Sequence, residues 1–265
     1  MLPYVELPYL RLGPLYIGTT RVLIALGILV AHALLIRRAR AAGRDGSLAA
    51  WLSLWMVLGG AVGAHLFKLL YIPQAGTILA RYPWFAVQIF NGMASFGGIF
   101  GGLLAGVVYL RCRRTTAREA LGYLDVVAWA FPFGWVFGRI GCALVHDHSG
   151  VWSSSWLAVQ YPGGSRYDLA VLEVFFLLPV LALFVALDRR RRPDGFYLGL
   201  FLLVYGAFRV ALDGLHVDVV RYFGWSVDQY AGTVAVLAGA GVLLAIHPLR
   251  RGAARPDWVV TGGSS

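Results

Sequence analysis

Along the chain, stretches of about 20 mostly apolar residues alternate with short polar breaks. The stretches fall near 17–36, 48–71, 93–110, 120–141, 169–187, 196–214 and 228–247. A helix crossing a bilayer needs roughly 20 apolar residues, whereas a crossing strand shows about 10 residues of alternating polarity. The alternating pattern does not recur, so the chain is expected to be an all-α, polytopic membrane protein with about seven transmembrane helices and no barrel.

Composition agrees: 59% of residues are hydrophobic, only 14% are charged and mean hydropathy is +0.69, against about 25% charged in an ordinary soluble domain. The cations are unevenly placed. Arg37, Arg38, Arg40 and Arg44 follow the first span, and Arg111, Arg113, Arg114 and Arg118 the third. Arg189 to Arg192 follow the fifth, and Arg250, Arg251 and Arg255 the seventh. These alternate breaks hold 15 of the 23 lysines and arginines, and in a seven-span chain they share one side. The positive-inside rule makes that side cytoplasmic, with the N-terminus outside and the C-terminus in the cytoplasm.

The net charge of +10 is therefore read as a topology signal. The arginines form collars at helix ends suited to anionic membrane lipids, and no nucleic acid is expected as a partner. A single membrane domain over 1–265 is the economical division, with a transmembrane core at 17–247 and a cytoplasmic tail at 248–265. Residues 1–16 lack a basic stretch followed by a cleavage site, so no removable signal peptide is expected. Cys112 and Cys142 fall on opposite sides of this topology and cannot pair. The outer breaks, 72–92, 142–168 and 215–227, carry Trp84, Trp152, Trp156 and Trp225, residues suited to headgroup depth.

A charge inside a span costs about 3 kcal/mol or more unless it is paired or wetted. Lys68, Asp125, Arg139, Glu173, Arg209 and Asp213 are the informative charged residues inside the spans, with His65 beside them. All but Asp125 fall in the outer half of the expected topology. Arg209 and Asp213 are four apart on one helix face, a spacing that suits either a structural ion pair or an arginine left to bind phosphate. Arg139 lies in GRIGCALVHDHSG, where it either snorkels to the surface or meets a lipid phosphate. Gly97 and Gly98 belong to a bare helix face with Gly92, Gly101 and Gly102, suited to tight helix packing or to an acyl chain. The sequence His146-Asp147-His148 lacks a third ligand at helical or hairpin spacing, so neither a metal nor a cofactor is expected. A histidine beside an acid also suits a general base near neutral pH.

Several stretches, in order, carry a resemblance: GPLYI at the first span, GMASFGG at the third, GRIG with a glycine at Gly150, RYDLAVLE ending at Glu173, YGAFRVALD from Tyr205 to Asp213, and Gln229. In these the chain resembles the phosphatidylglycerol-prolipoprotein diacylglyceryl transferases of bacterial inner membranes. The resemblance implies seven helices, a periplasmic N-terminus and a multi-pass place in the bacterial cytoplasmic membrane. It implies transfer of a diacylglyceryl group from phosphatidylglycerol to the lipobox cysteine thiol in the signal peptide of a prolipoprotein, with glycerol phosphate released.

By position, Arg139, Gly150, Glu173, Tyr205 and Arg209 match the family's motif residues, and Asp147 and Asp213 stand where it usually has glutamate. Phe96 stands where the family has a histidine before the glycine pair, Cys142 and Val145 replace asparagines, and Thr20 replaces a tyrosine. The expected catalytic residues are Arg139, Arg209, His146, His148, Tyr205 and Asp213, with His65 a third candidate for the missing histidine. The expected substrate-binding residues are Arg139, Asp147, Gly150, Glu173, Arg209, Gly97 and Gly98. Phe96 also admits a second reading, a phospholipid-binding or lipid-moving membrane protein without transferase chemistry.

Overall fold

The computed structural model describes residues 1–69, 72, 75–84, 94–217 and 219–252. The start of the third expected span, with Gly92, and most of the 248–265 tail lie outside these residues. The chain runs through α1 (Thr19–Ala41), α2 (Gly46–Lys68), α3 (Ala75–Arg81), α4 (Ser95–Cys112), α5 (Ala117–Val145), α6 (Leu169–Leu187), α7 (Phe196–Asp213) and α8 (Val227–Gly252). Six of these, α1, α2, α5, α6, α7 and α8, are long and apolar enough to cross a membrane. The apolar part of α4 is shorter, Phe96–Cys112, but α4 runs antiparallel beside α2 from Gly97 opposite Gly63 to Gly106 opposite Leu52.

Without a hydrophobic drive between helices in lipid, backbones approach where side chains are missing. A Cβ on Gly97 would sit 2.5 Å from the Gly63 carbonyl oxygen, and one on Gly134 of α5 would sit 2.3 Å from that of Gly27 in α1. The pair α7 and α8 packs the same way through Gly206 and Gly232. The long helix α5 is the hub, touching α1, α4, α6 and α7. Its N-terminus is fixed by a capping box, with the Thr116 hydroxyl accepting from the Glu119 amide and the Glu119 carboxylate accepting from that of Thr116.

The two ends of the bundle differ. At one end the breaks are short and stitched by arginines: Arg38 pairs with Asp188 and Arg44 with Asp194, both at 2.6 Å. Arg38 also lies over the Trp129 ring at 4.2 Å, which lets its charge sit against apolar surface. Asp125 belongs to this end, accepting from the Leu198 amide at 3.0 Å and so capping α7.

At the other end the chain builds a small head of three antiparallel sheets, which hydropathy did not predict. These are the hairpin β1 (Tyr9–Leu12) with β2 (Leu15–Gly18), the sheet β3 (Ser149–Trp152), β5 (Gly164–Asp168) and β4 (Val159–Tyr161) in that order, and the hairpin β6 (Arg221–Tyr222) with β7 (Trp225–Ser226). Backbone hydrogen bonds knit them together, from Leu2 to Ala158, Leu7 to Leu144 and Val151 to Leu215. Strands this short carry too few residues for their alternation to register. Trp84, Trp152, Trp156 and Trp225 are exposed. Cys112 lies at the arginine end and Cys142 at the head end, and neither forms a disulfide.

Candidate functional site at the head end of the bundle

Asp168 is fully buried and starts α6 by accepting from the Ala170 and Val171 amides at 3.0 and 3.2 Å. That start places Glu173 one turn inside the helix, where it is fully buried. Arg139 of α5 and Arg209 of α7 lie within about 9 Å of the head-side ends of their helices, at a rise of about 1.5 Å per residue.

The three meet. Glu173 Oε1 lies 2.8 Å from Arg139 Nε and accepts from Trp135 Nε1 at 2.9 Å and the Tyr205 hydroxyl at 2.8 Å. Its Oε2 lies 3.1 Å from Arg209 Nη1, while Arg209 Nη2 reaches Asp228 Oδ2 of α8 at 2.6 Å. A carboxylate satisfied on both oxygens by charged donors is the condition under which buried charge is tolerated, and it fixes two guanidinium planes side by side.

The ion pair that is one of the two readings of the Arg209 and Asp213 spacing is not how these residues sit. Among the described residues Arg209 pairs with Glu173 and Asp228, and Asp213 accepts a short hydrogen bond from the Ser226 hydroxyl. The cause is tertiary. The Ser226 hydroxyl accepts from the Gln229 amide and the Gln229 side chain accepts from the Ser226 amide, both at 3.1 Å. This capping box starts α8 against the end of α7, brings Asp228 onto Arg209 and commits Asp213 to Ser226.

A second cluster lies where α5 ends. His146 adopts the left-handed conformation, φ 52° and ψ 38°, and turns the chain back over its own last turn. Asp147 and His148 thereby return to Cys142, with one ligand atom from each of the three within 4.8 Å of the others. Asp147 and His148 share a short hydrogen bond. Burial alone would lower the His148 imidazole, but hydrogen bonds to Asp147 and Cys142 outweigh it and hold it up to about 9. Arg139 is within electrostatic range of both Cys142 and His148, so the clusters adjoin.

A family model described as prolipoprotein diacylglyceryl transferase matches residues 9–245. The chain belongs to the prolipoprotein diacylglyceryl transferase family. It is 26% identical to a phosphatidylglycerol-prolipoprotein diacylglyceryl transferase of Symbiobacterium thermophilum over 268 residues, covering 97% of this chain and 98% of that one. A protein of the same name from Pseudomonas paraeruginosa is 29% identical across 96% of this chain and 97% of its own. One from Rhizobium meliloti is 36% identical over 171 residues, 62% of this chain and 58% of its own length.

The remaining expected site residues of this diacylglyceryl transferase relative divide by position. His146 is a structural residue of the head: its Nδ1 meets Asp168 at 2.6 Å, its Nε2 meets the Val5 carbonyl at 3.1 Å and its ring stacks on Tyr4. Both nitrogens are thus engaged by partners inside the head. His65 is buried near the C-terminal end of α2. Phe96 is buried, with its ring centroid 5.5 Å from the Arg209 guanidinium carbon.

The face bearing Gly97 is occupied by α2, because a Cβ there would sit 2.2 Å from Phe67 Cβ, while Gly98 faces Ala64 at 3.6 Å. The space at Gly150 is taken by the Leu215 and Tyr167 carbonyl oxygens. Trp135 and Asp228 are the residues at the site that sequence reading missed. Asp228 was visible as an acid in a first helical turn, and Trp135 left no signal, being one aromatic in an apolar span.

Proposed function

We propose that this chain transfers the diacylglyceryl group of phosphatidylglycerol to the cysteine thiol of a prolipoprotein lipobox, in the cytoplasmic membrane of a bacterium. The head faces the periplasm and the arginine end the cytoplasm. The observation carrying this reading is the pair of arginines, Arg139 and Arg209, fixed on one buried carboxylate.

In the reaction the thiolate sulfur attacks the glyceryl carbon that bears the phosphate. The S–C bond forms, the C–O bond breaks, its electron pair goes to the phosphate oxygen, and glycerol phosphate leaves. The phosphate changes from a diester with one negative charge to a monoester approaching two, so cations aimed at it act more strongly on the transition state than on the substrate. Glu173 keeps the guanidiniums in place, and the Tyr205 hydroxyl and Trp135 keep Glu173 in place.

The lipid phosphate takes the position of Asp228 on Arg209. Asp228 is the carboxylate with access to the surface, its side chain 13% exposed against 1% for Glu173. Phe96, over Arg209, excludes water and takes no proton, which is why a binding-only protein is the rival reading. Complementation tests the proposal. A cell depleted of its own diacylglyceryl transferase is expected to grow when given this chain and to fail with Arg209→Ala at equal membrane abundance. Failure of the intact, correctly inserted chain while it still binds phosphatidylglycerol would favour the rival.

A further inference from the structure

A thiol has to be ionised before it displaces an ester, since the thiolate is the nucleophile and free cysteine ionises near pH 8.5. The position before the glycine pair offers only Phe96, and His146 has both nitrogens engaged with Asp168 and Val5. What lies beside Arg139 instead is the group Cys142, Asp147 and His148, one soft sulfur, one carboxylate oxygen and one imidazole nitrogen within 4.8 Å of each other. It is built by the reversal at His146, which folds the two residues after it onto the last turn of α5.

We propose that Cys142, Asp147 and His148 hold a zinc-type divalent cation whose open fourth position binds and ionises the client thiol. Four features carry this. The sulfur, nitrogen and oxygen donors are the set that a borderline-soft cation prefers. Three protein ligands with one position open is the pattern of catalytic zinc, where structural zinc has four. The group is accessible, with the Asp147 side chain 47% exposed and that of His148 32%.

The fourth feature is charge. A thiolate and a carboxylate cancel the two charges of the cation, so a neutral centre is added next to Arg139 without repelling it. A client thiol that coordinates such a cation gives its proton to water and stays nucleophilic. Cys142 is three residues beyond Arg139, on the same face of α5, about 5–6 Å between Cβ atoms. The bound sulfur therefore stands beside a phosphate held by Arg139. When S–C forms and C–O breaks, the sulfur becomes a thioether, a neutral and weaker ligand, and leaves the cation unchanged.

The metal site stands on the geometry of the three side chains, and its part in thiol activation rests on the transferase reading. The test uses the full-length chain in detergent, stripped with a chelator and titrated with cobalt(II). The wild type is expected to take up one cobalt per chain with a sulfur-to-cobalt charge-transfer band. Cys142→Ser is expected to abolish the band, His148→Gln to weaken binding by at least about tenfold, and Cys112→Ser and Arg209→Ala to keep it. Melting curves identify any variant that has failed to fold.

Transfer to a lipobox peptide is expected to stop on chelation and return with zinc. No band in the wild type, or an unchanged band in folded Cys142→Ser, overturns the site. A normal band with full transfer after chelation overturns its catalytic use and leaves the transferase reading intact. A normal band with no transfer in any sample removes the transferase reading and leaves the site.

Discussion

Replacing Glu173 by glutamine keeps the size of the side chain and removes the charge that two buried arginines share. In the wild type the carboxylate takes Arg139 at 2.8 Å and Arg209 at 3.1 Å, with Trp135 and Tyr205 on the same group. In Glu173→Gln, Arg139 loses its ion pair, Arg209 keeps Asp228, and the amide NH2 presents donors to donors. Breaking a buried pair from one side costs about 3–5 kcal/mol, because the remaining charge loses the compensation of that partner. For a chain of this size that corresponds to a fall in melting temperature on the order of 10 °C.

The assay is thermal unfolding in detergent, followed by tryptophan fluorescence. It is paired with the double variant Glu173→Gln with Arg139→Gln, which removes both members of the ion pair. The double variant is expected to be less destabilised than the sum of its single changes, with a coupling of about 0.5–3 kcal/mol. Transfer activity is expected to be lost in both, since neither positions two guanidiniums. A Glu173→Gln protein that transferred at full rate and melted within about 2 °C of wild type, a shift worth about 1 kcal/mol or less in a chain of this size, would refute the role assigned to this carboxylate.

Arg209→Lys keeps the charge but offers a point cation in place of a planar fork, and is expected to cut transfer by about tenfold or more, read as release of glycerol phosphate. Asp228→Asn removes the carboxylate that competes with the lipid phosphate and is expected to lower the KM for phosphatidylglycerol; a raised KM would count against exchange at Arg209. Gly97→Ala is expected to lower stability sharply, because its Cβ would lie 2.2 Å from Phe67 Cβ, whereas Gly98→Ala, at 3.6 Å from Ala64, is expected to be nearly neutral in the same melting assay. Cys112, exposed at the arginine end, is expected to react with a membrane-impermeant maleimide only after the membrane is breached; labelling in intact cells would reverse the orientation.

The helices were legible because lipid imposes one rule, about 20 apolar residues per crossing, that hydropathy reads directly. The charges that meet at the head end were legible for the same reason, since Arg139, Glu173 and Arg209 stand out against an apolar background. Their partners were not. A spacing of four on α7 suggested Arg209 with Asp213, but the partner is chosen by which helices pack together, and α6 and α8 supply Glu173 and Asp228 instead.

The head was missed because its strands run two to five residues and are held by long-range backbone bonds that no local pattern announces. The different surroundings of the two histidines were hidden in the same way. His146 and His148 are two residues apart, yet one left-handed residue sends the first into the head and the second onto Cys142. That Cys142 lies near Asp147 and His148 was not legible either, because the approach depends on the reversal at His146 and not on a regular spacing.

The central claim is that two arginines on one carboxylate serve displacement at a lipid phosphate. Its most direct test is a proteoliposome of phosphatidylglycerol containing this chain, with glycerol phosphate measured before and after a lipobox peptide is added. Release is expected only with the peptide, matched mole for mole by diacylglyceryl thioether on its cysteine and lost in Arg209→Ala. Phosphatidylglycerol bound at the arginines with no glycerol phosphate released would contradict it.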